Sequence, residues 1–257
     1  MIPKVIHYCW FGKKKKPRLI RKCIRSWKKY CPDYEIVEWN ESNFDLASAP
    51  LFVRQAVERQ KWAFATDYIR LKVLYEHGGI YLDTDIELLK NLNLVLDNRV
   101  YFGFEYTDRV SSGLGFGAEQ HAQILMEIMA VYESASFLQD DGTPDETWNS
   151  IRETMVLQRH GLRLDGSEQM LPDGIHIYPK TVFCPFDLTA SGSCFSKDTI
   201  SIHWYAASWW DKAAIRRIVG LKRYGRLIRI VKLPNRLGLR ILGRERYEQI
   251  KKRLKKR

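Results

Sequence analysis

Residues 62–88 constrain this chain more than any other segment, because they combine a helix pattern, a helix stop and two closely spaced aspartates. On a 3.6-residue period, most apolar side chains of 63–75 fall on one arc, which predicts a helix that ends at Gly78. Asp67 lies inside that arc, where a carboxylate needs a partner, and Arg70 at i+3 is within its reach. We therefore predict a buried Asp67–Arg70 pair.

Two aspartates follow this helix at the end of a short β-forming run, Ile80 to Leu82. Strand alternation would place Tyr81, Asp83 and Asp85 on one face. Neighbouring carboxylates repel each other unless a cation lies between them, and hard divalent cations prefer oxygen ligands. A bare DxD triplet is common in surface loops, so the prediction of a phosphate-binding Mn²⁺ or Mg²⁺ site depends on the whole string.

Strand and helix patterns alternate along the first part of the chain, at residues 5–10, 19–30, 34–39, 51–59, 62–77 and 80–82. This alternation predicts an α/β protein with a parallel sheet, in which ligands bind at the carboxyl ends of the strands. Gly12 and Asp83 are then expected near one cleft. Later patterns predict strands at 99–104 and 201–204, helices at 121–132 and 148–160, and edge-like segments at 175–179 and 182–186.

The string Asp67-x-x-Arg70, Gly78-Gly79-x-Tyr81-x-Asp83-x-Asp85 resembles the signature of the DXD-containing sugar transferases. That family includes the yeast initiating α-1,6-mannosyltransferase, bacterial capsular polysaccharide transferases and, more remotely, the clostridial glucosylating toxins. The segments IPKVIHYCWFG, residues 2–12, and HWYAASWW, residues 203–210, resemble it as well. The resemblance implies a GT-A fold over residues 1–210: a single Rossmann-like domain with a mostly parallel central sheet.

The same resemblance implies metal-dependent transfer of a sugar from a nucleotide sugar to a glycan or lipid-linked glycan. The implied setting is bacterial surface polysaccharide synthesis. A UDP-sugar is the favoured donor. Retention of configuration is implied, with front-face attack and the leaving diphosphate taking the acceptor proton. If the reaction inverted instead, a carboxylate base would be expected from Asp140, Asp141 or Asp145.

Family resemblance also implies roles for individual residues. Asp85 would bind the metal directly, and Asp83 would bind it through water, the ribose hydroxyls, or both. Family members use a late histidine or its equivalent as a third ligand, for which His203 is the candidate, although a histidine at a strand end is more often structural. Asp67 and Arg70 match positions that hold the donor sugar hydroxyls, a task that suits a planar guanidinium beside a carboxylate. These four acidic and basic residues of the central segment form the predicted catalytic set: Asp67, Arg70, Asp83 and Asp85.

Aromatic and small residues complete the predicted donor site. Tyr81 would help orient the phosphate or the sugar, and Trp10 would either stack on the nucleobase or pack in the core. Ser208 lies on a closing loop with Trp209 and Trp210, one of which would donate its indole N–H to the leaving phosphate. The glycine-rich segment 111–117 lacks the spacing of a P-loop and favours a strand with close backbone packing. Family members often carry an asparagine there that this chain lacks.

Positive charge is concentrated in the last part of the chain. Residues 211–257 hold 18 Lys and Arg against 3 Asp and Glu, a net charge of +15. Because the whole chain has a net charge of +12, residues 1–210 have a net charge of −3. Apolar residues recur among the arginines at helical intervals, which predicts a basic amphipathic tail on an anionic membrane surface, or else a solvated helical appendage. No run of about 18 uncharged apolar residues predicts a spanning helix. The five cysteines form no CxxC pair and are interpreted as reduced thiols. We therefore expect a cytoplasmic protein, peripheral at the inner face of the cell membrane.

Two other functions fit single features of the sequence. A phosphohydrolase of the haloacid dehalogenase type also uses a strand followed by DxD, but it needs Thr or Val four residues after the first Asp, where this chain has Glu87. A nucleic-acid-binding protein would explain the net charge, but that charge lies in the tail and no groove-reading motif is present. We therefore expect no nucleic-acid partner.

Overall fold

The computed structural model describes residues 1–185 and 194–205. Its strands are β1 (Val5–Cys9), β2 (Glu35–Trp39), β3 (Gly79–Tyr81), β4 (Ile86–Leu88), β5 (Val100–Tyr106), β6 (Arg109–Val110), β7 (Phe116–Ala118), β8 (Gln169–Leu171), β9 (Ile175–Tyr178) and β10 (Ser201–His203). Its helices are α1 (Arg18–Tyr30), α2 (Leu51–Glu58), α3 (Trp62–His77), α4 (Gln123–Glu133), α5 (Asn149–Arg159) and α6 (Lys180–Phe183). The α/β prediction is confirmed.

The central sheet has the strand order β2-β1-β3-β7-β5-β9-β8, with β6 paired to β5. It is mixed, so the prediction of a mostly parallel sheet is wrong. The pairs β1–β2, β1–β3 and β5–β9 are parallel, whereas β7 is antiparallel to both β3 and β5. Helices join the first three strands and keep them parallel. The chain instead reverses at the tight turn between β5 and β6, so that β6 and then β7 both run antiparallel to β5.

Helices cover both faces of the sheet. Because successive residues of a strand point to opposite faces, Ile80 belongs to the apolar cluster that contains Trp27 of α1, while Tyr81 belongs to the one that contains Leu71 of α3. The cluster around Tyr81 also takes in apolar residues of α2, α4 and α5.

Several predicted elements differ in position from the observed ones. β3 ends at Tyr81, so Asp83 and Asp85 lie in the turn that leads to β4 and not on the strand itself. The segment 175–178 is an inner strand between β5 and β8, and 180–183 is a short helix after Pro179. The predicted closing loop with Ser208, Trp209 and Trp210, and the basic tail 211–257, lie outside the described residues.

Two predictions from composition can be compared with this structure. All five cysteines are free, and all but Cys194 are buried. In the described part of the chain, no helix combines the length and apolar character needed to cross a membrane.

Candidate active site

The turn between β3 and β4 holds Asp83 and Asp85 in fixed positions. The Leu82 N–H donates to the His7 carbonyl at 3.0 Å, and the Ile86 N–H donates to the Asp83 carbonyl at 2.9 Å. On the far side, the Trp27 indole N–H donates to the Ile86 carbonyl at 2.7 Å. Helix α1 therefore supports the backbone of the turn from behind.

Asp83, Asp85 and His203 form a cluster of possible metal ligands. One ligand atom from each lies within 4.8 Å of the other two. His203 reaches the cluster because β10 pairs with β4 in antiparallel fashion, which sets it opposite Ile86. Its Nε2 lies 3.3 Å from Asp85 Oδ1, whereas its buried Nδ1 has no hydrogen-bond partner among the described residues. Sequence resemblance alone had linked His203 to the aspartates.

This donor set fits a divalent cation. Carboxylates suit Mg²⁺ and Mn²⁺, and a neutral imidazole is a common ligand of transition metals, so the mixed set favours Mn²⁺. Burial raises the pKa of Asp83; Arg70 opposes that shift and Asp85 adds to it. Burial would lower the pKa of His203, but Asp85, Glu105 and Asp83 raise it. A cation between these groups would relieve the repulsion between the carboxylates and displace the imidazole proton.

Arg70 joins the helix α3 to the aspartate turn. Its Nη2 lies 2.9 Å from Asp67 Oδ1 and 3.5 Å from Asp83 Oδ1, and its Nε donates to the Thr66 carbonyl at 3.1 Å. The side chains of Arg70 and Asp67 are only 5% and 11% exposed, which confirms the predicted buried pair. Burial, opposed by Arg70, raises the pKa of Asp67 to about 7.

Tyr81 lies beneath this ion pair. It is buried, its ring packs 5.1 Å from the Arg70 guanidinium carbon, and it helps to lower the pKa of Asp83 against the effect of burial. The structure therefore places Tyr81 behind two predicted site residues, where it fixes both.

The glycine-rich segment packs directly against the same groups. A Cβ added at Gly113 would lie 2.9 Å from Asp83 Oδ2 and 3.3 Å from Arg70 Nη1, so only glycine fits here without a shift. This segment has no asparagine, but Asn149 of α5 brings its amide to 3.3 Å from the hydroxyls of both Ser111 and Ser112. Sequence reasoning assigned no residue here, and the glycine itself was the available signal.

Trp10 lines a separate cavity of about 440 Å³ at the carboxyl ends of β1 and β2. Its indole N–H donates to the Lys14 carbonyl at 2.6 Å, and the Lys16 ammonium lies 5.3 Å from its ring. The remaining lining residues are polar or basic: Lys13, Lys15, Glu38, Asn40, Glu41 and Ser42. Trp10 is partly exposed and therefore has a ring surface that a planar ligand could contact.

The carboxylates considered as bases for an inverting reaction differ in their surroundings. Asp145 is paired with Arg152, and although burial would raise its pKa, Thr147 and Arg152 lower it. Asp141 accepts hydrogen bonds from Thr143, which lower its pKa, and Asp140 is exposed. All three belong to the loop before α5.

Residues 17–101 match the family described as the glycosyltransferase sugar-binding region containing a DXD motif. The match includes Asp67, Arg70, Asp83 and Asp85. The match covers about a third of the chain, and it concerns this segment alone. The resemblance of this segment to the DXD-containing sugar transferases is thereby confirmed. Trp10 and His203 lie outside the matched residues.

A curated relative of this DXD segment is the inositol phosphoceramide mannosyltransferase 3 of Schizosaccharomyces pombe, 32% identical over 102 residues. The match covers 37% of this chain and 27% of the relative, so the chain spans about a quarter of the length of that protein.

Two solved structures are similar to this chain. PaToxG glycosyltransferase has a TM-score of 0.48 at 20% identity, over 62% of this chain and 69% of that one. A glycosyltransferase involved in glycosylation of the major capsid of PBCV-1 has a TM-score of 0.43 at 12% identity, over 86% of this chain and 100% of that one.

Proposed function

We propose that this protein is a Mn²⁺- or Mg²⁺-dependent glycosyltransferase that uses a nucleotide sugar, with UDP-sugars favoured. The observation that carries the proposal is the cluster of Asp83, Asp85 and His203 beside the buried Asp67–Arg70 pair. Each group alone has structural explanations. Together they provide a cation site and a hydroxyl-binding pair joined by one side chain, Arg70.

Different residues would bind the nucleotide diphosphate and the sugar of the donor. Asp85 and His203 would bind the cation, and Asp83 would bind it or the ribose; a bound cation would act as a Lewis acid on the diphosphate leaving group. Asp67 would accept hydrogen bonds from the sugar hydroxyls, and Arg70 would donate hydrogen bonds to them. Trp10 would stack on the nucleobase in the cavity at the ends of β1 and β2. Ser208 and one of Trp209 and Trp210 would contact the diphosphate.

Retention of configuration belongs to the proposal. The acceptor oxygen would form its bond to the anomeric carbon on the face from which the diphosphate departs, and the acceptor proton would pass to a diphosphate oxygen. The ion pair of Asp145 with Arg152 is consistent with this assignment, because it leaves that carboxylate poorly suited to act as a base. The anomeric coupling constant of the product, measured by NMR, would test it.

The acceptor and the location are proposed from the tail and the relatives. A lipid-linked glycan at the inner face of a bacterial membrane, in surface polysaccharide synthesis, would suit a chain whose residues 211–257 carry a net charge of +15. Removing residues 212–257 should release the protein from vesicles containing phosphatidylserine while donor hydrolysis persists. Vesicle binding that survives this deletion would contradict the membrane proposal.

A panel of nucleotide sugars tests the enzymatic proposal. Hydrolysis of UDP-glucose, UDP-galactose, UDP-N-acetylglucosamine and GDP-mannose would be followed with Mn²⁺, Mg²⁺ or EDTA; mannose is included because the curated relative is named a mannosyltransferase. We expect at least one donor to be cleaved only with the cation, and Asp85→Asn to abolish the reaction. The exposed Asp97→Asn is the matched control and should keep full activity. No cleavage or binding of any donor would contradict the proposal.

A further inference from the structure

Helix α5 contains a carboxylate at a core position. Glu153 has no exposed surface, and it lies on the same helix face as the buried Leu157. One of its oxygens accepts the Ser112 N–H at 2.7 Å, and the other accepts the Ser112 hydroxyl at 2.5 Å. A buried carboxylate is costly unless it is paired or hydrogen-bonded, so the stability of Glu153 at this position depends on its hydrogen bonds with Ser112.

Asn149 lies one helical turn before Glu153 and completes the contact with the loop. Its Nδ2 lies 3.2 Å from Glu153 Oε1 and 3.3 Å from the hydroxyls of Ser111 and Ser112. Its carbonyl oxygen accepts no hydrogen bond from the described residues. Two side chains of α5 thus fix two consecutive residues of the loop.

The opposite side of the loop faces the proposed donor site. Gly113 follows Ser112 directly, and a Cβ there would lie 2.9 Å from Asp83 Oδ2. Any movement of Ser112 toward or away from α5 would therefore change the space around Asp83 and Arg70. Hydrogen bonds and close contacts connect Asn149 and Glu153 with the cation ligands through one short loop.

We propose that Glu153 and Asn149 are positioning residues that hold residues 111–114 against Asp83 and Arg70 and so set the shape of the donor-sugar pocket. This inference rests on the proposed function. It predicts that substitutions of Glu153 or Asn149 weaken the binding of the donor sugar. Binding of the nucleotide diphosphate should stay largely unchanged, because it would lie at the cation and Trp10.

Complementary substitutions separate this role from simple stability. Glu153→Gln leaves one acceptor oxygen for three donors, so an amide group must face either Ser112 N–H or the Asn149 amide. Asn149→Asp sets two carboxylates at the present separation of 3.2 Å. The double variant restores complementarity, because the new amide at 153 can donate to the new carboxylate at 149 while the serine hydroxyls rotate. Val156→Ala, which removes buried apolar packing of α5 but no hydrogen bond to the loop, is the stability control.

The experiment measures the donor KM, the affinity for UDP in the presence of Mn²⁺, and Tm. We expect each single variant to raise the donor KM by about tenfold, the effect of one lost buried hydrogen bond to a charged group. UDP affinity should stay within about twofold, and the double variant should recover most of the KM. Val156→Ala should lower Tm without changing KM.

Unchanged donor KM in both single variants, or parallel losses of UDP affinity and Tm without recovery in the double variant, would overturn the inference. If the single variants fail to fold, Asn149→Ala removes the amide without adding charge: a raised KM supports the role and an unchanged KM refutes it. A wild-type protein that binds and cleaves no nucleotide sugar would instead contradict the proposed function.

Discussion

Replacing Gly113 with alanine should damage the cation site through a single methyl group. The new Cβ would lie 2.9 Å from Asp83 Oδ2, which is 0.5 Å closer than the 3.4 Å at which ordinary contact begins. The loop cannot easily withdraw, because Ser112 is bonded to Glu153 on its other side. Asp83 must therefore move, and by more than the roughly 0.2 Å tolerance of a metal–ligand distance.

Two effects of different size follow from this shift. Overpacking a well-packed site costs typically 1–3 kcal/mol, which for a chain of this length lowers Tm by roughly 2–4 °C per kcal/mol. Disturbing a group next to the metal costs about 10- to 100-fold in metal affinity or activity. We expect Gly113→Ala to remain folded but to bind Mn²⁺ at least tenfold more weakly.

Titration of Mn²⁺ by electron paramagnetic resonance, together with thermal unfolding, measures both effects. Gly142→Ala is the matched control, because Gly142 has a φ of +78° and a Cβ there meets nothing within 4 Å. That variant should lose stability through backbone strain alone and keep the wild-type Mn²⁺ affinity. A folded Gly113→Ala protein with wild-type Mn²⁺ affinity would refute the reasoning.

Three further predictions concern the surroundings of the site. Burial raises the pKa of Asp67 from 3.8 to about 7. Between these values the folded state holds a proton that the unfolded state has lost. The free energy of unfolding should therefore fall by about 4 kcal/mol as pH rises from 4 to 7. Asp67→Asn should lack this component in urea unfolding at several pH values. Burial lowers the pKa of His7 from 6.5 to about 4, so the free energy of unfolding should decrease as pH falls from 6.5 to 4, and His7→Gln should remove that decrease. For Asp67 or for His7, equal pH profiles of wild type and variant would contradict the assigned pKa shift. Trp27→Phe should destabilise the protein by about 1–3 kcal/mol and weaken Mn²⁺ binding, because the Ile86 carbonyl behind the aspartate turn loses its donor; unaltered binding would argue against support from α1.

Local patterns were sufficient to predict part of the fold and site. The Asp67–Arg70 pair was predictable because i and i+3 side chains of one helix meet regardless of the rest of the fold. The stop at Gly78 was predictable because a helix commonly ends at a glycine with positive φ, here 64°.

Contacts between distant segments were not predictable in this way. Glu153 and Ser112 are 41 residues apart, and no periodicity links them; the available signal was a glutamate on the apolar face of α5. The antiparallel direction of β7 follows from the tight turn between β5 and β6, which the sequence pattern did not specify. His203 could be linked to the aspartates only by the family resemblance, because β4 and β10 pair residues that are more than 100 positions apart in the sequence.

Binding of UDP in the presence and absence of Mn²⁺, measured by isothermal titration calorimetry, tests the central claim most directly. The wild-type protein should bind UDP with Mn²⁺ at least about 100-fold more tightly than with EDTA, since the cation would connect the carboxylates to the diphosphate. The double variant Asp83→Asn with Asp85→Asn should lose this difference while keeping its fold. Equal UDP affinity with Mn²⁺ and with EDTA in the wild type, or an unchanged Mn²⁺ effect in the double variant, would contradict the account.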